Sequence, residues 1–146
     1  MVRGMTSDSR RHVSIERTEN SRYTVTNARG GTITVGAATN GATHFSPVEL
    51  LLAAIGCCTA IDVDMVTSRR AEPEGFQIEV DAETVRDDSG SHLKNITTTF
   101  RIRFPEGEGG DKARAILPDM VKQSHDRLCT VSRTVELGIP VTPRIE

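Results

Sequence analysis

The chain has 146 residues, a formal net charge of -2, no tryptophan, one tyrosine and four phenylalanines. This length fits one domain with a substantial core, which must be aliphatic. No cluster of lysine and arginine is dense enough to follow a phosphate backbone, so nucleic acid is not an expected partner. Three cysteines in a chain without an export signal indicate reduced thiols in the cytoplasm rather than a disulfide framework.

The N-terminal segment 1–11 is polar and charged, which predicts a disordered leader ahead of a single domain spanning 12–146. It has no apolar stretch of the kind found in a secretory signal. The longest apolar run, Leu50–Ile61, is shorter than the roughly 20 residues that cross a bilayer. We therefore expect no membrane association.

Three short strands are predicted next, at His12–Thr18, Arg22–Asn27 and Thr32–Val35, with a turn at Gly30–Gly31. Together they form a predicted meander, which a loop of small residues over 36–45 follows.

The clearest element is a long apolar helix. Ser46–Glu49 reads as a capping box with proline at the first helical position, and the helix runs to about Val66. Its charged residues are Glu49, Asp62 and Asp64. Because the helix is apolar almost all round, we expect it to be central and buried.

The second half of the chain predicts a hairpin and a helical segment. Phe76–Val85 alternates apolar and polar side chains, and with His92–Phe104 it forms a long antiparallel hairpin. Asp111–Leu128 is an amphipathic helix that Pro118 should kink or divide. Its predicted buried stripe comprises Ala113, Ile116, Leu117, Met120, Val121 and Leu128.

After Cys129, a short helix over Val131–Leu137 and a final strand over Ile139–Arg144 are predicted. The order of strands and helices predicts an α+β domain in two layers, with antiparallel sheets.

The cysteines are the candidate reactive groups. Cys57 and Cys58 lie within the apolar helix, and Cys129 follows the amphipathic one. A reactive thiolate needs a cation or hydrogen-bond donors that lower its pKa. Cys58 lies about three turns into its helix, too far for that helix's own N-terminus to help. A cation must therefore come from another element.

Two segments carry a family resemblance. SPVELLLAAIGCCTAIDV, at 46–63, resembles the central-helix motif of the OsmC/Ohr family of thiol peroxidases, in which an Asn/Ser-Pro-x-Glu-Leu helix start leads to a cysteine. LCTVSRTVELGIPV, at 128–141, is similar to the distal Cys-x-Val segment of that family. The sequence resembles the broad OsmC-like branch more than the organic-hydroperoxide-resistance branch.

The resemblance implies antiparallel sheets packed on a buried central helix, in an intertwined homodimer. It also implies a peroxidase that reduces organic hydroperoxides with a peroxidatic and a resolving cysteine. An external dithiol is the implied reductant, with no cofactor. The four histidines are scattered without ligand spacing, so no metal site is expected.

Aligned on the helix start, Cys58 takes the peroxidatic position and Cys129 the resolving one, while Cys57 is expected to be a packing residue. The arginine of the family falls at Arg22, with Arg17 and Arg29 left open as alternatives.

The carboxylate that orients this arginine in the hydroperoxide branch falls at Val48, and Glu49 follows one residue later. Glu49 and Cys58 are nine residues apart, about 13–14 Å of helix rise, and nearly opposite around the axis. If both serve one site, Glu49 must come from the partner chain. The valine at 48 leaves an alternative open: a non-catalytic module of the same fold that senses oxidation or binds an apolar ligand.

Overall fold

The computed structural model describes residues 9–146, so residues 1–8 of the predicted leader lie outside the described part. The chain divides into two compact units, with the boundary after Leu50. The described residues form two antiparallel sheets and three α-helices, which confirms the predicted α+β class. The extent of the domain, 12–146, stays a prediction.

The first unit contains a three-stranded meander. Its strands are β1 (Val13–Glu19), β2 (Arg22–Asn27) and β3 (Thr32–Gly36), paired antiparallel in the order β1-β2-β3. The predicted meander is therefore confirmed. In the turn between β2 and β3, the Asn27 side chain accepts hydrogen bonds from two backbone N–H groups, over 2.9 and 3.0 Å.

Helix α1 (Pro47–Thr67) begins at the predicted capping box. The Ser46 N–H donates to Glu49 Oε1 over 2.9 Å, and the Glu49 N–H donates to Ser46 Oγ over 3.3 Å. These reciprocal bonds satisfy two of the N–H groups that a helix start leaves without partners.

Within a single chain, one side of α1 is buried and the other is exposed. The buried side comprises Ile55, Gly56, Thr59, Val63 and Thr67. The opposite side carries an apolar stripe of exposed residues, namely Leu51, Cys57, Ile61 and Met65. One chain of this size has too few elements to cover both sides of a helix.

The full α1 is also long and apolar enough to cross a membrane by length and composition alone. The sequence argument counted the uncharged run Leu50–Ile61, and the turns that flank it carry Glu49, Asp62 and Asp64. Core helices of soluble proteins share this length and composition. In this chain Asp62, in the middle of α1, accepts a hydrogen bond from Ser124.

The second unit contains the predicted hairpin, formed by β4 (Gly75–Asp87) and β5 (Gly90–Arg103). Apolar residues of β4 are half-buried and alternate with exposed polar ones, as predicted. The register shifts between Asp81 and Glu83. At the same level of β5, Asn95 adopts a positive φ of 52°.

Helix α1 approaches β4 closely at Gly56. A Cβ atom at this position would lie 2.8 Å from Val80 Cγ2, nearer than such atoms approach in folded proteins. The glycine therefore lets the backbone of α1 contact the sheet two residues before Cys58.

Helix α2 (Glu108–Gln123) passes through Pro118 without interruption, so the predicted restart there is wrong. It continues into a π-helical turn, Ser124–Leu128, which we call the π-turn. The π-turn widens the helical spacing and turns Leu128 off the buried stripe of α2, so Leu128 is exposed rather than buried as predicted.

Helix α3 (Thr130–Leu137) matches the predicted short helix. It ends at Gly138, which has a left-handed φ of 61°. The predicted strand over Ile139–Arg144 is absent, since residues 138–146 form no strand. Pro140 and Pro143 lack the N–H groups that a ladder needs, which explains the error.

Candidate functional site

The structure brings Cys58 and Cys129 together within the second unit. Cys58 lies in the middle of α1, and Cys129 lies between the π-turn and α3. The two thiols are close enough for each to shift the pKa of the other, and both are free rather than joined in a disulfide. The sequence predicted this pair from distant segments.

Cys129 is the N-cap residue of α3. The backbone N–H of Ser132 donates to its sulfur over 3.3 Å, and the Ser132 hydroxyl lies 3.3 Å from the same sulfur. The side chain is fully buried. Burial alone raises the pKa of Cys129, but hydrogen bonds from Cys58, Ser132 and Thr59 outweigh it and hold the pKa below its ordinary value.

Cys58 is half-buried, and its pKa is raised. Burial is the main cause, followed by the hydrogen bond to Cys129 and the nearby negative charge of Asp62. The backbone of Val131 opposes this shift through a hydrogen bond to the Cys58 sulfur. The first turn of α3 therefore supplies a donor to each sulfur.

The two thiols differ in protonation as well as in exposure. The interaction between them favours the negative charge on Cys129 and the proton on Cys58. A further donor or cation would be needed to lower the pKa of Cys58. Solvent reaches Cys58 more readily than the fully buried Cys129.

Sequence reasoning missed the residues that hold this pair. Ser124, at the start of the π-turn, donates from its hydroxyl to Asp62 Oδ2 over 2.7 Å. The same residue accepts the Cys129 N–H at its carbonyl over 2.8 Å. Asp62 stood out in the sequence as a charge in an apolar helix, but nothing there indicated its partner.

A cavity of about 280 Å³ lies beside the cysteine pair. Thr59 and Ser132, which both contact the Cys129 thiol, form part of its wall. The remaining wall has an apolar part, Ile55, Ile96 and Val135, and a polar part, Lys94, Asn95, Thr98, His125 and Glu136. Within it, His125 contacts Glu136 over 2.7 Å.

Two further predicted site residues, Arg22 and Glu49, lie in the first unit. Arg22 forms an exposed ion pair with Glu19 at the β1–β2 turn and borders a groove with Thr34 and His44. Glu49 caps α1, and its hydrogen bonds with Ser46 lower its pKa. These local contacts leave their catalytic roles as predictions.

The alternatives to Arg22 lie in the same unit: Arg17 is on β1 opposite Tyr23, and Arg29 is in the β2–β3 turn. Cys57 is exposed in the single chain, and its expected role as a packing residue stays a prediction. In residues 9–146 no three His, Cys, Asp or Glu side chains are grouped to hold a metal ion.

The OsmC-like protein family model matches residues 39–144. No curated protein matches the sequence significantly. A hypothetical protein from Aquifex aeolicus VF5 has a similar structure, with 23% identity over 88% of each chain and a TM-score of 0.69.

An OsmC-like protein from Mycoplasma pneumoniae shares 18% identity over 88% of this chain and 89% of its own, with a TM-score of 0.68. The organic hydroperoxide resistance protein OhrB of Bacillus subtilis shares 18% identity over 86% and 90%, with a TM-score of 0.53. These identities show a common fold. With the family match over most of its length, the chain belongs to the OsmC-like protein family.

Proposed function

We propose that this protein is a thiol-dependent peroxidase that reduces organic hydroperoxides through Cys58 and Cys129. The observation that carries the proposal is the proximity of these two thiols, which come from distant segments of the chain and shift each other's pKa. Two free thiols in contact can exchange between a dithiol and a disulfide with little movement.

In the proposed reaction, the Cys58 thiolate attacks the terminal oxygen of a hydroperoxide. The O–O bond breaks, the alcohol leaves with one proton, and Cys58 becomes a sulfenic acid. Cys58 is assigned this role because it is the more exposed of the two sulfurs. Cys129 then attacks the Cys58 sulfur, water leaves, and an external dithiol reduces the disulfide.

Activation of Cys58 is the step that needs groups beyond the second unit. Burial raises its pKa, and the donor from Val131 only partly opposes this effect. We assign the missing cation to Arg22, with Arg17 and Arg29 as the alternatives. An arginine can place two parallel donors on a thiolate and a peroxide oxygen, which a lysine cannot.

We further propose a cytoplasmic homodimer in which Glu49 serves the partner's site. The exposed apolar stripe of α1 (Leu51, Cys57, Ile61 and Met65) supports this assembly, because a surface of this kind is typical of a protein interface. A two-fold axis would bury both copies of the stripe. The hydroperoxide resistance of proteins such as OhrB supports the choice of an organic substrate.

A steady-state assay with cumene hydroperoxide and a dithiol reductant tests the proposal. We expect the wild type and Cys57→Ser to turn over many times, and Cys58→Ser to be inactive. Arg22→Met should slow the peroxide step, while Arg22→Lys should recover only part of the rate. Equal activity in the wild type and Cys58→Ser would refute the proposal.

The second candidate is a redox sensor that forms the same disulfide without efficient turnover. The raised pKa of Cys58 favours it, since fewer thiolates are then available at neutral pH. The same assay separates the two functions. A sensor would consume about one equivalent of hydroperoxide and stop even with dithiol present in excess.

A further inference from the structure

Asp62 and Ser124 form a hydrogen bond between the two segments that carry Cys58 and Cys129. Asp62 follows Cys58 by four residues on α1, so the two side chains lie on the same face about one turn apart. The Ser124 hydroxyl donates to the Asp62 carboxylate over 2.7 Å, across 62 residues of sequence.

Ser124 connects this contact to the second cysteine. Its side chain is fully buried, and its carbonyl accepts the Cys129 N–H over 2.8 Å. One residue thus binds α1 through its hydroxyl and Cys129 through its backbone. The path from Asp62 through Ser124 to Cys129 consists of two short hydrogen bonds.

The π-turn is also tied to α3, whose first turn faces both sulfurs. His125 contacts Glu136 over 2.7 Å, and Arg133 donates to the Asp126 carbonyl over 2.9 Å. The π-turn and α3 are therefore joined by contacts of their own. The Asp62–Ser124 bond attaches this pair of elements to α1 next to Cys58.

We propose that Asp62 is a positioning residue for disulfide closure, which acts through Ser124 to hold the Cys129 sulfur within bonding distance of Cys58. The inference rests on the proposed function. In the closure step the Cys129 sulfur bonds to the sulfur of the Cys58 sulfenic acid, and the Cys58 S–O bond breaks. The released hydroxide takes the Cys129 proton and leaves as water, and the hydroperoxide is the oxidant consumed.

A purely structural role for Asp62 would destabilise the fold without a selective effect on closure. A positioning role predicts that closure depends on an acceptor at residue 62 and on the hydroxyl at residue 124. It does not depend on the charge. Asparagine at 62 keeps an oxygen that accepts from Ser124, whereas alanine does not.

The experiment measures the equilibrium between dithiol and disulfide in glutathione redox buffers, without hydroperoxide, in the Cys57→Ser background. Peptide mapping under non-reducing conditions gives the fraction of the Cys58–Cys129 disulfide. We expect Asp62→Ala and Ser124→Ala each to shift this equilibrium toward the dithiol by about two- to tenfold, the range for loss of an ordinary hydrogen bond.

Two variants serve as controls. Asp64→Ala removes an exposed carboxylate from the same helix and should leave the equilibrium unchanged. Asp62→Asn should keep closure near the wild-type level and, by removing a negative charge, lower the pKa of Cys58. The double variant Asp62→Ala/Ser124→Ala should form the same fraction of disulfide as either single variant, because the two residues act as one pair.

Wild-type closure in Asp62→Ala would overturn the inference. If that variant does not fold, as judged by its thermal transition, Ser124→Ala decides in its place, and wild-type closure there has the same consequence. If the wild type forms the disulfide in redox buffer but does not consume cumene hydroperoxide, the proposed function is refuted. The comparison of the dithiol–disulfide equilibrium among the variants still tests the role of Asp62.

Discussion

The backbone N–H of Ser132 donates to the sulfur of Cys129 over 3.3 Å, and the backbone of the preceding residue, Val131, acts to lower the pKa of Cys58. The N-terminus of α3 thus faces both thiols. Donors at a helix N-terminus favour a thiolate over a thiol. The pKa of the buried Cys129 is lowered and that of Cys58 is raised, so Cys129 is the thiol that ionises more readily.

The Ser132 hydroxyl is expected to hold down the pKa of Cys129. In a Cys57→Ser background, Ser132→Ala removes one of the hydrogen bonds to that sulfur, so the pKa of Cys129 should rise. The pH dependence of thiolate absorbance in the ultraviolet measures this shift. Thr134→Ala, which removes a hydroxyl from the exposed side of the same helix, should leave the curve in place.

Loss of Cys129 should change both the chemistry and the titration of Cys58. Cys129→Ser removes a negative neighbour, so the pKa of Cys58 should fall while burial keeps it above its ordinary value. The variant should react once with a hydroperoxide and then accumulate sulfenic acid, with sulfinic acid at higher oxidant. Mass spectrometry detects both products. Repeated turnover in this variant would contradict the resolving role of Cys129.

Glu49 has a capping role that can be separated from a catalytic one. Ser46→Ala should cost about 1 kcal/mol of folding stability, typical of a lost N-cap. Glu49→Gln keeps an acceptor for the Ser46 N–H, so its thermal midpoint should stay close to that of the wild type. If the carboxylate also serves the partner's site, Glu49→Gln should lose peroxidase activity at unchanged stability. Full activity would limit Glu49 to capping.

His125 should make stability depend on pH. Hydrogen bonds to Asp126 and then Glu136 raise its pKa in the folded state. Its stabilising effect is therefore fully present below the unfolded pKa of about 6.5 and is lost as pH rises through the folded value. The thermal midpoint of the wild type minus that of His125→Gln should decrease between pH 5.5 and pH 8.5. If this difference in thermal midpoint does not change with pH, the pKa of His125 is not raised in the folded state.

The exposed apolar stripe of α1 predicts a dimer. Ile61 is 65% exposed, and Ile61→Lys should convert the dimer to a monomer if a second chain covers the stripe. Leu128→Lys alters an apolar residue that is 52% exposed outside α1 and serves as the matched control. Sedimentation velocity at micromolar concentration measures both. A wild type that sediments as a monomer would remove the interface site and the proposed role of Glu49.

Local signals account for the parts of the fold that the sequence predicted well. The capping box fixed the start of α1, and the alternation of Phe76–Val85 predicted which side chains of β4 are half-buried. The strand predicted over Ile139–Arg144 failed because apolar alternation there is countered by two prolines, which cannot donate to a ladder.

The sequence predicted the two cysteines of the candidate site but not the groups that surround them. The proximity of Cys58 and Cys129 followed from motif resemblance. The contact of Asp62 with Ser124 did not, because it depends on a π-turn that shifts the helical register by a fraction of a turn. The donors from α3 are backbone N–H groups, which no side-chain pattern reveals.

The most direct measurement treats the reduced wild type with one equivalent of cumene hydroperoxide and then maps its disulfides without reduction. The account predicts one cumyl alcohol per disulfide formed, with the disulfide joining Cys58 and Cys129 within one chain. A disulfide that contains Cys57, or unreacted hydroperoxide beside intact thiols, would contradict it.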